Sequence, residues 1–386
     1  MKRTGPGKKT VVGGVFRDPS ILEQKHVPSR IQHRNKQIME MTYYLSSFIR
    51  YGILMNNIVV FGAPGTGKTH SVQRMLANLA KDINAFYTRA YRATSAHAFF
   101  RSLLQENFEL SLHPRESISV YYGAFEKAVR GLENVLFVFD DIQYLLQEDQ
   151  KGLYGILFYL SRLEKNLGLI LIGNIIVNDL SLALQPPTKS SLKLRSVYFP
   201  KYNANELNEI VSQRARDALE EKAFERSKAA ISLIAGRTAK EWGSARRALD
   251  LLKEAGMVSE EIFGMDYISQ DAVDQAEEML DISKLQEQVR DLPQHPLSVL
   301  EAVFRSKGNM KLSTGEVYSG YAAICRERRL EPFSLRKISD IITELASAGL
   351  IGCRQVSRGK LGRTRYISWL PDPGLEKVYA EIRQVF

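Results

Sequence analysis

Cysteine is scarce in these 386 residues: Cys325 and Cys353 are the two, far apart and without CxxC spacing. That count excludes a disulfide framework, argues against a zinc site and makes a reducing interior, the cytoplasm, the simplest home. Apolar runs are short as well, and none reaches the roughly 18 residues that a bilayer-crossing helix needs, so no membrane is expected among the partners. Met1 to Gly14, basic and glycine-rich, lacks the apolar stretch of a signal peptide, and residues 1–20 read as a flexible basic tail. Acidic charge is in the minority, 43 Asp and Glu against 53 Lys and Arg, for a net charge of +10. A basic balance favours an anionic partner, nucleic acid first, although many basic proteins touch no DNA. The remaining composition, 44% hydrophobic and 25% charged, is that of packed globular domains. At this length two or three of them are expected.

Short β-branched and aromatic runs recur between helical stretches: Ile58 to Phe61, Ala85 to Thr88, Val135 to Phe139, Leu169 to Ile172 and Ser196 to Phe199. Strands that are apolar on both faces and separated by amphipathic helices predict an α/β core, a parallel sheet with helices on both faces, over residues 21–200. After Pro200 the strand signal stops, and residues 201–282 predict a small helical domain rich in Ala, Glu, Lys and Leu. Residues 283–386 carry their own apolar pattern behind a polar connector and form a third unit.

The first run leads into Gly62-Ala63-Pro64-Gly65-Thr66-Gly67-Lys68-Thr69, which fits the phosphate-loop pattern G-x-x-x-x-G-K-S/T. Glycines let backbone N–H groups turn inward around phosphates, Lys68 adds a point charge, and the Thr69 hydroxyl can ligate Mg²⁺. An unrelated glycine turn would lack the strand before it and the amphipathic helix after it, whose N-terminus faces the anion. The third run ends in Asp140-Asp141. An acid closing an apolar strand stands beside such a loop: Asp140 would hold the Mg²⁺ through water and Asp141 would polarise the attacking water.

In the last unit, Leu297 to Phe304 predict one helix and Ser313-Thr314-Gly315-Glu316 is a capping box that starts a second. Ser334 caps a third, with Leu335, Ile338, Ile341, Ile342 and Leu345 at helical spacing and Gly349 at its end. A hairpin follows, from Leu350 to Trp369, and three helices before a hairpin is the winged-helix order. Its tip carries Arg354, Arg358, Lys360, Arg363 and Arg365 with no acid among them. Such a tip can enter a minor groove or track phosphates, and the third helix, with Arg336 and Lys337 near its start, would lie in the major groove. Wings also bind proteins, but five unopposed charges favour duplex DNA.

With these motifs in place the chain resembles the AAA+ ATPases and, within them, the archaeal origin-recognition initiators, relatives of the eukaryotic origin recognition complex. The resemblance runs from about Val27 to about Tyr366. It implies an ATP/ADP site in which Val27, Pro28 and Ile38 neighbour the adenine and Arg34 steadies the phosphates or the site wall. Ala63, Pro64, Thr66, His70 and Tyr202 would line the same site. Asn174 matches the sensor-1 position, where an Asn orients the water or the γ-phosphate, and Arg246 in Gly243-Ser244-Ala245-Arg246 matches the sensor-2 arginine that reaches back from the lid. Arg195 stands where related clamp-loader ATPases keep an arginine finger, while Pro187 occupies a place where members often have arginine. The stretch Thr94 to Tyr122 would hold the family's DNA-touching insertion, with Arg115, Ser117 and Ser119 meeting phosphates. Two departures, Asp141 for the usual Glu and Ser244 for the usual Asp, suggest slow turnover or a retained nucleotide.

The function implied is a nucleoid-associated replication initiator. It would bind origin duplex according to ATP or ADP state, help recruit the replicative helicase and assemble with paralogous initiator subunits. The alternatives are a DNA-binding regulator of STAND or transcriptional type with a structural nucleotide, and a clamp-loader subunit, which the winged helix argues against.

Overall fold

The computed structural model describes residues 14–26, 28, 31–52, 57–79, 82–90, 95–163, 167–174, 192–306, 308, 311–357 and 363–370, apart from the side chains of 356–357 and 363–364. The chain divides into two compact units, Met1–Val273 and Asp274–Phe386.

In the first unit, five runs of apolar residues form five parallel strands: β1 (Asn57–Gly62), β2 (Asn84–Arg89), β3 (Val135–Asp140), β4 (Leu167–Gly173) and β5 (Leu194–Phe199). Their spatial order is β2-β3-β4-β1-β5, so β1 lies between β4 and β5. Every residue of β3 and β4 is buried, because helices cover both faces. On one face α1 (Asn35–Tyr51) and α2 (Lys68–Leu79) bring Met41, Leu45, Phe48, Val72 and Met75 against Ile58, Val60, Ile170 and Val197. On the other, α3 (Ala96–Phe108), α4 (Ile118–Val129), α5 (Ile142–Glu148) and α6 (Gln150–Ser161) pack on Val59, Phe137, Phe139 and Leu171. Asn57 is buried at the start of β1 with its amide satisfied at both ends, donating to Leu192 O at 2.7 Å and accepting from Leu169 N at 2.7 Å. The stretch expected to carry a DNA-touching insertion has this covering role: Phe99, Phe100, Leu103 and Leu104 of α3 are all buried under the sheet.

The helical lid follows: α7 (Ala204–Ala218), α8 (Glu221–Arg226), α9 (Lys228–Glu241) and α10 (Ala245–Glu261). A capping box at Asn203 and Glu206 starts α7, and the Ser244 hydroxyl caps α10 by accepting from Arg247 N. Residues 14–20, expected within a flexible tail, are instead docked on this lid. Val15 is fully buried, and Phe16 pairs antiparallel with Leu219. Val15 and Phe16 are apolar enough to add an edge to the lid, a gain that a two-residue apolar run behind two glycines does not announce. Residues 1–13 of the expected tail lie outside the described residues.

The chain passes into the second unit along α11 (Gln270–Arg290). There α12 (Gln294–Arg305), α13 (Thr314–Glu327) and α14 (Leu335–Ser347) precede an antiparallel hairpin of β6 (Gly352–Ser357) and β7 (Arg363–Ser368). Leu312 adds a bridge to Ile367. Both expected caps form: Ser313 and Glu316 make the reciprocal capping box of α13, and Ser334 accepts from Lys337 N at the start of α14. Val299, Val303, Tyr321, Ile338, Ile342 and Ile367 make the core. Inside it Glu301 is held by Arg305 at 2.7 Å and Arg328 at 2.5 Å, so its buried carboxylate is paired. Cys325 is buried here and Cys353, on β6, is exposed.

Candidate nucleotide site and nucleic-acid surface

The loop between β1 and α2 opens on a cleft of about 1160 Å³ between the sheet and the lid. Gly65, Thr66, Gly67, Lys68, Thr69 and His70 line it, as do Pro28, Asp140, Asp141, Asn174, Tyr202 and Arg246. Residues far apart in sequence converge because four parallel strands end their C-terminal edges beside one loop.

Gly65 and Gly67 have φ of +74° and +86°, where a side chain is strained. Space also forbids one: a Cβ on Gly65 would lie 1.9 Å from Ser244 Oγ, and one on Gly67 would lie 2.7 Å from the Tyr202 hydroxyl. The lid therefore rests directly on the loop, and Ala245 N at the head of α10 donates to Gly65 O at 3.0 Å. Lys68 Nζ donates to Gly62 O at 2.8 Å and Ala63 O at 2.9 Å. Burial pushes its pKa down to about 8 against the pull of Asp140 and Asp141.

Asp140 is almost fully buried, and burial raises its pKa although three donors meet it. Thr69 Oγ1 donates to Oδ2 at 2.9 Å, the Tyr87 hydroxyl donates to the same oxygen, and Asp141 N donates to Oδ1 at 2.9 Å. A threonine hydroxyl touching a carboxylate is a hard-oxygen pair of the kind that would suit Mg²⁺. No group of three or more His, Cys, Asp or Glu that could hold a metal occurs among the described residues. Asp141 stands in the left-handed region, φ 58° and ψ 38°, which turns it out of the strand toward the cleft. Gln143 Nε2 donates to Asp141 Oδ1 at 3.1 Å while its Oε1 accepts from Asn174 N at 3.4 Å, so one amide links the second acid to the sensor-1 position.

Arg34 lies behind the loop, not in the cleft. It is 1% exposed, and its guanidinium donates to Thr66 O at 2.9 Å, Pro200 O at 2.8 Å and His33 O at 3.2 Å, stacked 3.6 Å from the Tyr202 ring centre. Of its two expected roles, the geometry supports the site wall: it ties the phosphate loop to the start of the lid. Gly62 and Ala63 are likewise absent from the cleft lining and present carbonyls to Lys68. Arg195 pairs in register with Ile58, at the opposite end of the strands from the loop, so it is not gathered into this chain's cleft. Val27 lies outside the described residues. Tyr87, Gln143 and Arg214 were not anticipated, since a single Tyr, Gln or Arg in a strand or helix carries no spacing signal.

In the second unit Arg336 and Lys337 are exposed on the first turn of α14, and Arg354 is exposed on β6. Arg365 is not a free wing cation: its Nη1 donates to Ser339 O at 3.1 Å and Thr343 Oγ1 at 3.1 Å, bracing the hairpin on α14. Arg358, Lys360 and the side chain of Arg363 lie outside the described residues. Arg115 is exposed in the first unit between α3 and α4.

Three family models match the chain: an AAA domain over 55–180, a Cdc6 AAA+ ATPase-type lid domain over 208–278 and the CDC6 C-terminal winged helix domain over 287–375. The ORC1-type DNA replication protein 1 of Sulfurisphaera tokodaii is 33% identical over 365 residues, 92% of this chain and 90% of that protein. The ORC1-type DNA replication protein of Thermococcus onnurineus is 30% identical over 373 residues, 92% of this chain and 88% of that protein. Among solved structures, the Aeropyrum pernix ORC1 protein in complex with DNA superposes with a TM-score of 0.82 at 27% identity, covering 96% of this chain and 99% of that one.

Proposed function

The chain belongs to the ORC1-type DNA replication proteins, and on that footing we propose that it grips origin duplex with its winged helix under the control of an adenine nucleotide and Mg²⁺ held in the cleft of its AAA+ core. One observation carries this reading: Lys68, Thr69, Asp140, Asp141, Asn174 and Arg246 face a single cleft whose lid is hydrogen-bonded to the phosphate loop, in a chain that also bears a winged helix with exposed cations.

Lys68 and the loop amides would hold the β- and γ-phosphates, and Thr69, with Asp140 through water, would hold Mg²⁺, which would supply charge neutralisation there. Asp141, set by Gln143, orients the attacking water together with Asn174, and Arg246 reaches the phosphates from the lid. Pro28, His70 and Tyr202 contribute to the wall, and Arg34 keeps the loop in shape. Asp141 is one methylene shorter than the usual glutamate, so hydrolysis is slow. An arginine finger at Arg195 would have to act on a neighbouring, paralogous subunit.

Arg336, Lys337 and Arg354 contact the duplex, joined by Arg358, Lys360 and Arg363 of the wing tip; that the similar A. pernix ORC1 protein was solved in complex with DNA supports DNA as the partner. Arg115 meets phosphates from the core. On this reading the chain also helps recruit the replicative helicase, in the nucleoid of the cytoplasm.

The test pairs nucleotide and DNA binding. Lys68→Ala abolishes ATP and ADP retention in a filter assay and leaves most of the duplex affinity, whereas full nucleotide binding by this variant refutes the phosphate-loop assignment. Footprinting on chromosomal fragments protects short repeats beside an AT-rich region; protection confined to promoters points to the regulator instead.

A further inference from the structure

The segment that docks on the lid also forms part of the nucleotide cleft. Arg17 N and Asp18 N donate to Ala218 O at 2.8 and 2.9 Å, and Glu220 N donates to Val15 O at 3.0 Å. Arg17 Nη2 donates to Arg216 O at 3.1 Å and Asp217 O at 2.7 Å. Phe16 lies so close to α10 that a Cβ added at Gly256 would be 2.1 Å from its ring. The chain then turns, and Leu22, Glu23, Gln24, Lys25 and His26 form a wall of the cleft.

Arg214 of α7 holds this turn at both ends. It is 8% exposed, with Nη1 donating to Ile21 O at 2.9 Å and Nη2 to His26 O at 3.3 Å. A buried guanidinium needs its donors met, and here carbonyls of the strap meet them. Between those ends Gln24 hydrogen-bonds to His70 of α2 and to the carboxyl of Asp250 of α10. The strap is thus fixed to the lid by Phe16 and Arg214 and touches the core helix that follows the phosphate loop.

We propose that Phe16 and Arg214 are positioning residues for nucleotide retention: they hold residues 14–26 on the lid as a strap across the cleft, and a bound nucleotide leaves when the strap parts. This rests on the reading that the cleft holds an adenine nucleotide. Phe16 does not line the cleft, and Arg214, which does, has its guanidinium on the strap carbonyls of Ile21 and His26, so their effect falls on release and not on the chemical step.

The experiment loads the full chain with fluorescent N-methylanthraniloyl-ADP and Mg²⁺ and chases with excess ADP. Arg214→Met and Phe16→Ala raise the dissociation rate about tenfold or more and change association by less than about twofold. Arg214→Lys, which keeps a cation of similar reach, recovers part of the retention. Gly256→Ala pushes the Phe16 ring from its seat while putting a better helix former into α10. Faster release from this variant at an unchanged or higher melting temperature is therefore not ascribed to a weakened lid. Release within about twofold of the unmodified rate for Phe16→Ala and Gly256→Ala overturns the proposal, and these two decide if circular dichroism shows that Arg214→Met does not fold. Failure of the unmodified chain to bind the labelled ADP strikes the nucleotide reading instead.

Discussion

The backbone N–H of Ala245 donates to the carbonyl of Gly65 at 3.0 Å, joining the first turn of a lid helix to the phosphate loop. Ser244, beside it, caps the same helix and fills the space over Gly65 that a Cβ would need. One small hydroxyl does both jobs. Lid position and loop conformation are therefore coupled through backbone contacts as well as through Arg246.

Gly65→Ala tests that coupling. The new methyl would sit 1.9 Å from Ser244 Oγ at a φ of +74°, so loop and helix must separate. The backbone strain alone costs about 1–2 kcal/mol. Calorimetry should show weaker ADP binding by at least about tenfold, together with a lower melting temperature.

Lys68 makes nucleotide binding sensitive to alkali. Its pKa of about 8 means that it is mostly charged at pH 7 and mostly neutral at pH 9. Phosphates hold it charged, so binding takes up about 0.1 proton at pH 7 and about 0.9 at pH 9, and affinity falls as pH rises through 8. Folding without ligand shows the opposite trend: a lysine with a depressed pKa favours the folded form increasingly from pH 8 toward the ordinary lysine value. Binding enthalpies measured in buffers of different ionisation heat read the uptake directly, and an uptake independent of pH contradicts the assignment.

Gln143 joins Asp141 to Asn174, and Gln143→Ala removes that link without touching the phosphate loop. Hydrolysis in single turnover slows by about 10- to 100-fold while the ATP dissociation constant moves by less than about threefold. An equal loss in both would place Gln143 in binding.

The exposed and the braced arginines of the winged helix should part in a salt titration. Replacing Arg336 and Lys337 together lowers the slope of log affinity against log salt by about two, at nearly one per lost phosphate contact. Arg365→Ala, which removes donors to Ser339 and Thr343, changes the slope less and destabilises the hairpin by about 1 kcal/mol. Equal slopes for the two variants would put Arg365 on the DNA.

The five strands and the phosphate loop were legible because each is a local pattern: a β-branched run, a glycine spacing, an acid at a strand end. The caps at Ser313 and Ser334 were legible for the same reason. Arg34 and Arg365 show where local reading stops. Each is a cation in a plausible binding position, yet each spends its donors on backbone carbonyls distant in sequence, Thr66 and Pro200 for one and Ser339 for the other. The strap escaped for a related reason, since Val15 and Phe16 are two apolar residues in a glycine-rich lead-in and their partners, Leu219 and Gly256, come two hundred residues later. Gln143 matters only because β3 and β4 are neighbours in the sheet, a pairing that no spacing announces.

The two cysteines differ in reach: Cys325 is sealed in the core of the second unit and Cys353 is open on β6, one residue from Arg354. Nature has thereby supplied a single attachment point for a maleimide dye on the hairpin itself. The unaltered chain can be labelled there and watched by fluorescence as duplex or nucleotide is added, with no engineered thiol to disturb it.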